Sequence, residues 1–141
     1  MQVKQYAPER IRNVGLFSHG GAGKTSLAEA LLFDSGAVTR LGRVEEGNTV
    51  SDFDPDETKR HISVSASVLP IEWRDHKINL VDAPGFADFA GDIRAALRTV
   101  DAAIILVDAA AGVEVGTEQV WKGAGAHELA RLIYINKMDR E

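Results

Sequence analysis

Eight consecutive residues, Ser18-His19-Gly20-Gly21-Ala22-Gly23-Lys24-Thr25, carry the groups needed to grip a chain of phosphates. With no side chains at Gly20, Gly21 and Gly23, the backbone can approach phosphate oxygens closely and aim several N–H groups at them. Lys24 adds a point charge toward the β and γ phosphates, and the Thr25 hydroxyl is a ligand type suited to Mg²⁺. A β-branched and apolar run, Ile11 to Phe17, precedes the loop, and an apolar-periodic segment, Ser26 to Leu32, follows it. Strand, glycine loop and helix in that order are the setting of a Walker A phosphate loop. The general pattern has Gly where this chain has Ser18, a small residue and a mild departure.

Two further motifs complete the chemistry. Ile78-Asn79-Leu80-Val81-Asp82 reads as a buried strand ending in an acid, followed at once by Ala83-Pro84-Gly85. An acid at that place holds Mg²⁺ through its waters, opposite the loop hydroxyl, and the glycine lets a backbone N–H reach the γ-phosphate. Leu132-Ile133-Tyr134-Ile135 is another short strand, leading into Asn136-Lys137-Met138-Asp139. An Asp there can accept two parallel hydrogen bonds from the N1–H and exocyclic amine of guanine. Adenine offers an unprotonated N1 and no amine, so the carboxylate would be left unpaired at a large cost. An ATP-dependent enzyme is therefore disfavoured. Either short motif alone is more simply a turn or a solvated loop. All three in order, each at the carboxyl end of an expected strand, place a ligand where open α/β sheets bind one.

The periods between the motifs alternate as βαβ units do. A strand at Ile11 to Phe17 leads to a helix at Thr25 to Phe33, then to a polar, glycine-dotted stretch from Ser35 to Lys59 that has neither period and reads as a mobile loop. Ser63 to Trp73 alternates like an antiparallel edge strand and pairs, through the turn Arg74-Asp75-His76, with Lys77 to Asp82. Asp88 to Val100 is a helix with Phe89, Ile93, Ala96, Leu97 and Val100 on one face. Ala102 to Val107 is a fully buried parallel strand. Glu114 to Ala126 is a helix packing Val115, Val120 and Trp121 inward, and Arg131 to Ile135 is the last strand. Trp73 and Trp121 read as packing residues rather than stacking platforms. The expected fold is α/β, a P-loop NTPase with a mostly parallel sheet and helices on both faces.

The 141 residues suit one domain. Hydrophobic residues make up 45% and charged residues 26%, and the net charge of −5 argues against non-specific duplex binding as the main role. Sequence-specific DNA binding is not expected. There is no cysteine, so disulfides and thiolate metal sites are excluded. His19, His61, His76 and His127 lack ligand spacing, and the acidic run Asp52, Asp54, Asp56, Glu57 is most simply a solvated loop face. The polar start has no hydrophobic leader region. The longest apolar stretch, Ala102 to Ala111, is broken by Asp108 and too short to span a bilayer. No membrane association and a cytoplasmic location are expected.

The three motifs and their order resemble the translational GTPases and, among them, elongation factor G, in particular its divergent paralogues; the resemblance covers nearly the whole chain. Asn48-Thr49-Val50-Ser51-Asp52-Phe53-Asp54-Pro55-Asp56 and Lys59-Arg60-His61-Ile62-Ser63 look like that family's first switch, and Ala87-Asp88-Phe89 continues the second. The resemblance implies GTP or GDP with Mg²⁺ as ligands, Thr25, Ser63 and Asp82 around the metal, Asn136 and Asp139 on guanine, and the ribosome as partner of the full-length protein. It also implies that residues 1–141 are a G domain cut off after the guanine-specificity loop, since the family continues with a helix, a strand contacting guanine O6, a closing helix and further domains.

Departures from the family bear on mechanism. Phe86 stands where translation factors carry a histidine that positions the attacking water, and Phe can neither donate nor accept that hydrogen bond. Ser63 replaces a Thr, keeping the hydroxyl and losing a methyl; His61 replaces a Gly; Gly21 stands where many elongation factors have Asp. These changes are compatible with binding and imply a slow or differently activated GTPase, with no catalytic residue assigned. The alternative is a GTP-dependent binding module on the ribosome with little or no hydrolysis.

Overall fold

The computed structural model describes residues 4–51, 66–85 and 90–140. Along these residues five strands and three helices alternate: β1 (Ile11–Ser18), α1 (Lys24–Asp34), β2 (Ser67–Trp73), β3 (His76–Asp82), α2 (Ala90–Thr99), β4 (Ala102–Asp108), α3 (Val115–Ala126) and β5 (Ala130–Asn136). They form one sheet in the order β2-β3-β1-β4-β5. β1 runs parallel to both β3 and β4, and β4 runs parallel to β5; only β2 is antiparallel, on β3. This is the mostly parallel sheet expected from the sequence.

Alternation along the strands explains why helices are needed on both faces. Leu16, Leu80 and Leu106 point to one face, where Leu69 and Ile71 of β2 join them and Ala28 and Leu32 of α1 cover them. Phe17, Val81, Ala103 and Ile105 point to the other, beneath Ala96, Leu97 and Val100 from α2 and its end, and Val120 and Ala124 of α3. Burying each such large side chain contributes about 1.5–3 kcal/mol. Gly15 is required here because the Phe17 ring folds back over it and would overlap any Cβ.

Helix and hairpin ends follow local chemistry. α1 stops in a Schellman motif: Gly36 is left-handed (φ 75°), its N–H reaches Phe33 O at 3.0 Å, and the Ala37 N–H reaches Leu32 O at 2.9 Å. The turn joining β2 to β3 is only two residues, Arg74 (φ 46°) and Asp75 (φ 61°), with Trp73 opposite His76. Two successive positive φ angles match the right-handed twist of the flanking strands. His76 thus belongs to β3 rather than to the turn. Pro70 is tolerated because β2 is an edge strand. Residues 63–65, expected to start this strand, and 88–89, expected to start the following helix, lie outside the described residues, as does Phe89 of its apolar face.

α3 departs from expectation in its buried face. Thr117, Val120 and Ala124 face inward, whereas Val115 is 70% exposed and Trp121 40% exposed. Five residues of helix turn by about 140° beyond a full circle, so Val115 cannot share the Val120 face. Trp121 lies at the margin, with the Arg131 guanidinium 4.0 Å from its ring centroid. β5, at the sheet edge, leaves Leu132, Ile133, Tyr134 and Ile135 largely exposed.

Candidate functional site

Because β1, β3, β4 and β5 are parallel, their carboxyl ends meet on one rim, and each ends in a residue with a polar side chain: Ser18, Asp82, Asp108 and Asn136. The loop after β1 wraps this rim. Gly21 (φ 79°) and Gly23 (φ 94°) take left-handed conformations that side chains resist, and Gly23 caps α1. Lys24, the first residue of α1, is 7% exposed, and its Nζ donates to Ser18 Oγ at 3.0 Å. The Ser18 hydroxyl in turn donates to the His19 carbonyl. The serine in place of the usual glycine therefore has a partner on each side. His19 Nε2 lies 3.6 Å from Glu114 Oε1, at the start of α3, while Ala22 is buried.

β3 delivers Asp82 to the same place. Thr25 Oγ1 donates to Asp82 Oδ2 at 3.0 Å, with the acid itself buried. Ala83 and Pro84 are buried behind it, and Gly85 presses on the loop: a Cβ there would stand 2.5 Å from Lys24 Nζ and 3.1 Å from Gly20 N and Cα. The chain after Asp82 thus runs directly against the phosphate loop, and any side chain at Gly85 would have to displace the Lys24 amine. Phe86 and Ser63 lie outside the described residues.

The segment after β5 is tied to the loop from the other side. Asn136 Nδ2 donates to Ala22 O at 2.9 Å, and Lys137 Nζ donates to Gly21 O and, at 2.7 Å, to Asp108 Oδ2. Asp108 also accepts the N–H groups of Ala110 and Ala111, at 2.9 and 3.3 Å. The Lys137 hydrogen bond and these N–H bonds hold its carboxyl below the ordinary carboxylate value. Lys137 is left-handed (φ 58°), which turns the chain so that Met138 and Asp139 stand exposed in a turn closed by Arg140 N to Lys137 O at 3.2 Å. The Asp139 carboxylate has no hydrogen bond or ion pair among the described residues, which leaves both oxygens available.

The sequence motifs are therefore adjacent in space, with Lys24, Thr25 and Asp82 in one cluster and Asn136 and Lys137 bonded to the loop itself. Asp108 was not among the expected site residues. Its signal was legible, since Leu106-Val107-Asp108-Ala109 repeats the strand-then-acid pattern of Val81-Asp82-Ala83, but only the register of β4 on β5 shows that the acid meets Lys137.

Fold and site together define a P-loop domain of the GTPase type: a five-stranded, mostly parallel sheet with a glycine loop, a strand-end acid and an Asn-Lys-x-Asp segment on one rim. Residues 9–141 match the family described as the elongation factor Tu GTP binding domain, and the chain belongs to that family. It is 45% identical over 140 residues to "Ribosome-releasing factor 2, mitochondrial" of Debaryomyces hansenii, a match covering 99% of this chain and 16% of that protein. It is 43% identical over 130 residues to "Elongation factor G 2" of Streptomyces coelicolor, covering 92% of this chain and 19% of that one. The crystal structure of ttk003000868 from Thermus thermophilus superposes with a TM-score of 0.91 at 46% identity, over 94% of this chain and 20% of its own. The chain thus spans less than a fifth of the length of these two curated relatives. It is a GTP-binding domain of the translational GTPase kind, similar to that of elongation factor G.

Proposed function

We propose that residues 18–25, 82–86 and 136–139 bind Mg-GTP, and that the full-length protein hydrolyses it to drive a ribosome-linked conformational switch. The observation that carries this reading is the meeting of Thr25 and Asp82 at 3.0 Å beside Lys24, under a loop that Asn136 and Lys137 hold from the other side. Two hard oxygen donors side by side fit Mg²⁺. Thr25 and Asp82 would hold the ion, with Ser63 as a further hydroxyl ligand, and bound Mg²⁺ would neutralise charge on the β- and γ-phosphate oxygens. Lys24 and the amides from His19 to Thr25 bind the phosphates, and the Gly85 N–H reads the γ-phosphate. Asn136 braces the loop, and Asp139 pairs with N1–H and N2–H₂ of guanine.

The relatives' names, a ribosome-releasing factor and an elongation factor, support the ribosome as partner. The reading of residues 1–141 as a GTP-binding domain belongs to the same proposal. So does a cytoplasmic location, which subcellular fractionation tests against the organelle named for one relative. Among the described residues no helix is long and apolar enough to cross a membrane. Phe86 favours a second reading, a GTP-dependent binding module with little turnover, because the residue cannot orient water.

Nucleotide competition on the full-length protein tests the binding. GTP and GDP should displace a fluorescent guanine nucleotide while ATP does not, and Asp139→Asn should shift the preference toward xanthine nucleotides by about 10⁴–10⁵-fold, the scale on which a site rejects a ligand that leaves its polar groups unpaired. Equal retention of ATP and GTP by the wild type would refute guanine selection.

A further inference from the structure

Glu29 lies one helical turn after Thr25 on α1 and is fully buried. Its Oε1 accepts the Val50 N–H at 2.6 Å, while Oε2, also buried, meets no hydrogen-bond donor among the described residues. Gly42 packs against this carboxylate so closely that a Cβ there would overlap Oε2 and stand 3.0 Å from the Thr49 Cα. Between Gly42 and Thr49 the chain folds on itself through a 3-10 turn, Val44–Glu46, with Gly47 left-handed and the Arg43 N–H donating to Asn48 Oδ1 at 2.7 Å. Beyond it, Ser51 O accepts the Ser67 hydroxyl at 2.9 Å, tying the far end to β2. Residues 42–51 are thus a closed loop with a buried carboxylate plugged into its base, not the unattached segment that composition suggests.

A buried carboxylate with so few partners is poorly placed for stability, and an aliphatic side chain of the same volume would avoid its desolvation. What the carboxylate does, and an aliphatic group cannot, is hold the Val50 N–H at a fixed offset from the helix start. Glu29 follows Thr25 by four residues on the same face, about 6 Å along a rigid helix. A displacement of the Lys24-Thr25 end therefore reaches Val50 through one short, direction-sensitive hydrogen bond.

Resting on the nucleotide-binding reading above, we infer that Glu29 is a positioning residue that couples the placement of residues 42–51 to the nucleotide state at Lys24 and Thr25. The test uses full-length protein, a non-hydrolysable GTP analogue and GDP, read by affinity and by hydrogen exchange over residues 42–51. In the wild type, exchange at Val50 differs between the two nucleotides. Glu29→Ala removes that difference and lowers the analogue-to-GDP affinity ratio by roughly tenfold, a typical coupling between sites. Glu29→Gln, which keeps an acceptor, restores most of it. If Glu29→Ala lowers the melting temperature but leaves the affinity ratio and the exchange difference intact, the residue is merely structural and the inference is overturned. Should Glu29→Ala not fold, Gly42→Ala decides, since it wedges a methyl against an intact carboxylate: a reduced ratio supports the coupling and an unchanged one refutes it. Failure of the wild type to bind either nucleotide would instead refute the underlying function.

Discussion

Gly85→Ala adds one methyl group at the point where the segment after β3 touches the phosphate loop. The new carbon would stand 2.5 Å from Lys24 Nζ and 3.1 Å from Gly20 N and Cα, against 3.4–4 Å for ordinary contact. The Lys24 amine must retreat by about 1 Å and the Gly20 backbone by a few tenths, on the same contact scale. Lys24 is flexible at its end, yet it is buried and bonded to Ser18, and the Gly20 backbone closes the opposite side. Over-packing of this kind costs about 1–3 kcal/mol. In the empty site Lys24 can relieve the strain by swinging outward, whereas with phosphates bound it cannot, so the cost falls on binding. It corresponds to about 5- to 150-fold in affinity. A GTP analogue should lose more than GDP, because the altered segment carries the Gly85 N–H proposed above to read the γ-phosphate. Titration of fluorescent analogues of both nucleotides into the full-length variant measures the two losses, with thermal unfolding as the control for folding. An alanine variant with the wild-type melting temperature, and affinities within about twofold of wild type for both nucleotides, would refute the argument that this contact bears on the site.

The fold was legible wherever local periodicity carries the information. The apolar run before the glycine loop became β1, the segment after it became α1 within a residue of either expected end, and the acid at the end of β3 stands beside Thr25 as the motif implies. What local reading missed depends on the other side of each contact. The turn at Arg74-Asp75 has no glycine to advertise its two positive φ angles; the pairing of Trp73 with His76 imposes them. Val115 is apolar and helical, yet it lies off the face that α2 and β4 bury. Leu132-Ile133-Tyr134-Ile135 has the composition of an interior strand, and its position at the sheet edge leaves it exposed. Asp108 and Glu29 escaped for a related reason: Asp108 ends a strand as Asp82 does and Glu29 sits singly in a helix, but in neither case does the sequence tell which group the acid meets. Its meaning comes from a partner 29 residues away for Asp108 and 21 for Glu29.

Two further predictions concern the rim and the chemistry. Asp108 titrates below its ordinary value of 3.8 because Lys137 bonds to its charged form, so the contact's stabilisation is complete above about pH 4 and is lost as pH falls through the lower folded-state value. Asp108→Asn should therefore unfold at lower denaturant concentration than wild type at neutral pH, with the gap closing in acid; a gap that does not depend on pH would show that the ion pair contributes nothing. Phe86→His tests whether water positioning is what this chain lacks. A group that can accept and donate a hydrogen bond beside the attacking water contributes about 10²–10⁴-fold to such a step. The substitution leaves Lys24, Thr25, Asp82 and Asp139, proposed above to bind the ion, the phosphates and the base, unchanged. The variant should accordingly raise single-turnover GTP hydrolysis by at least about 10²-fold in the presence of ribosomes while leaving GTP affinity within a few-fold of wild type. A gain confined to the ribosome-bound state would mean that the partner places the new imidazole; a gain without ribosomes would mean that the domain alone does so. No gain in either state would show that the phenyl ring is not the obstacle, and that hydrolysis here proceeds or fails for a reason outside position 86.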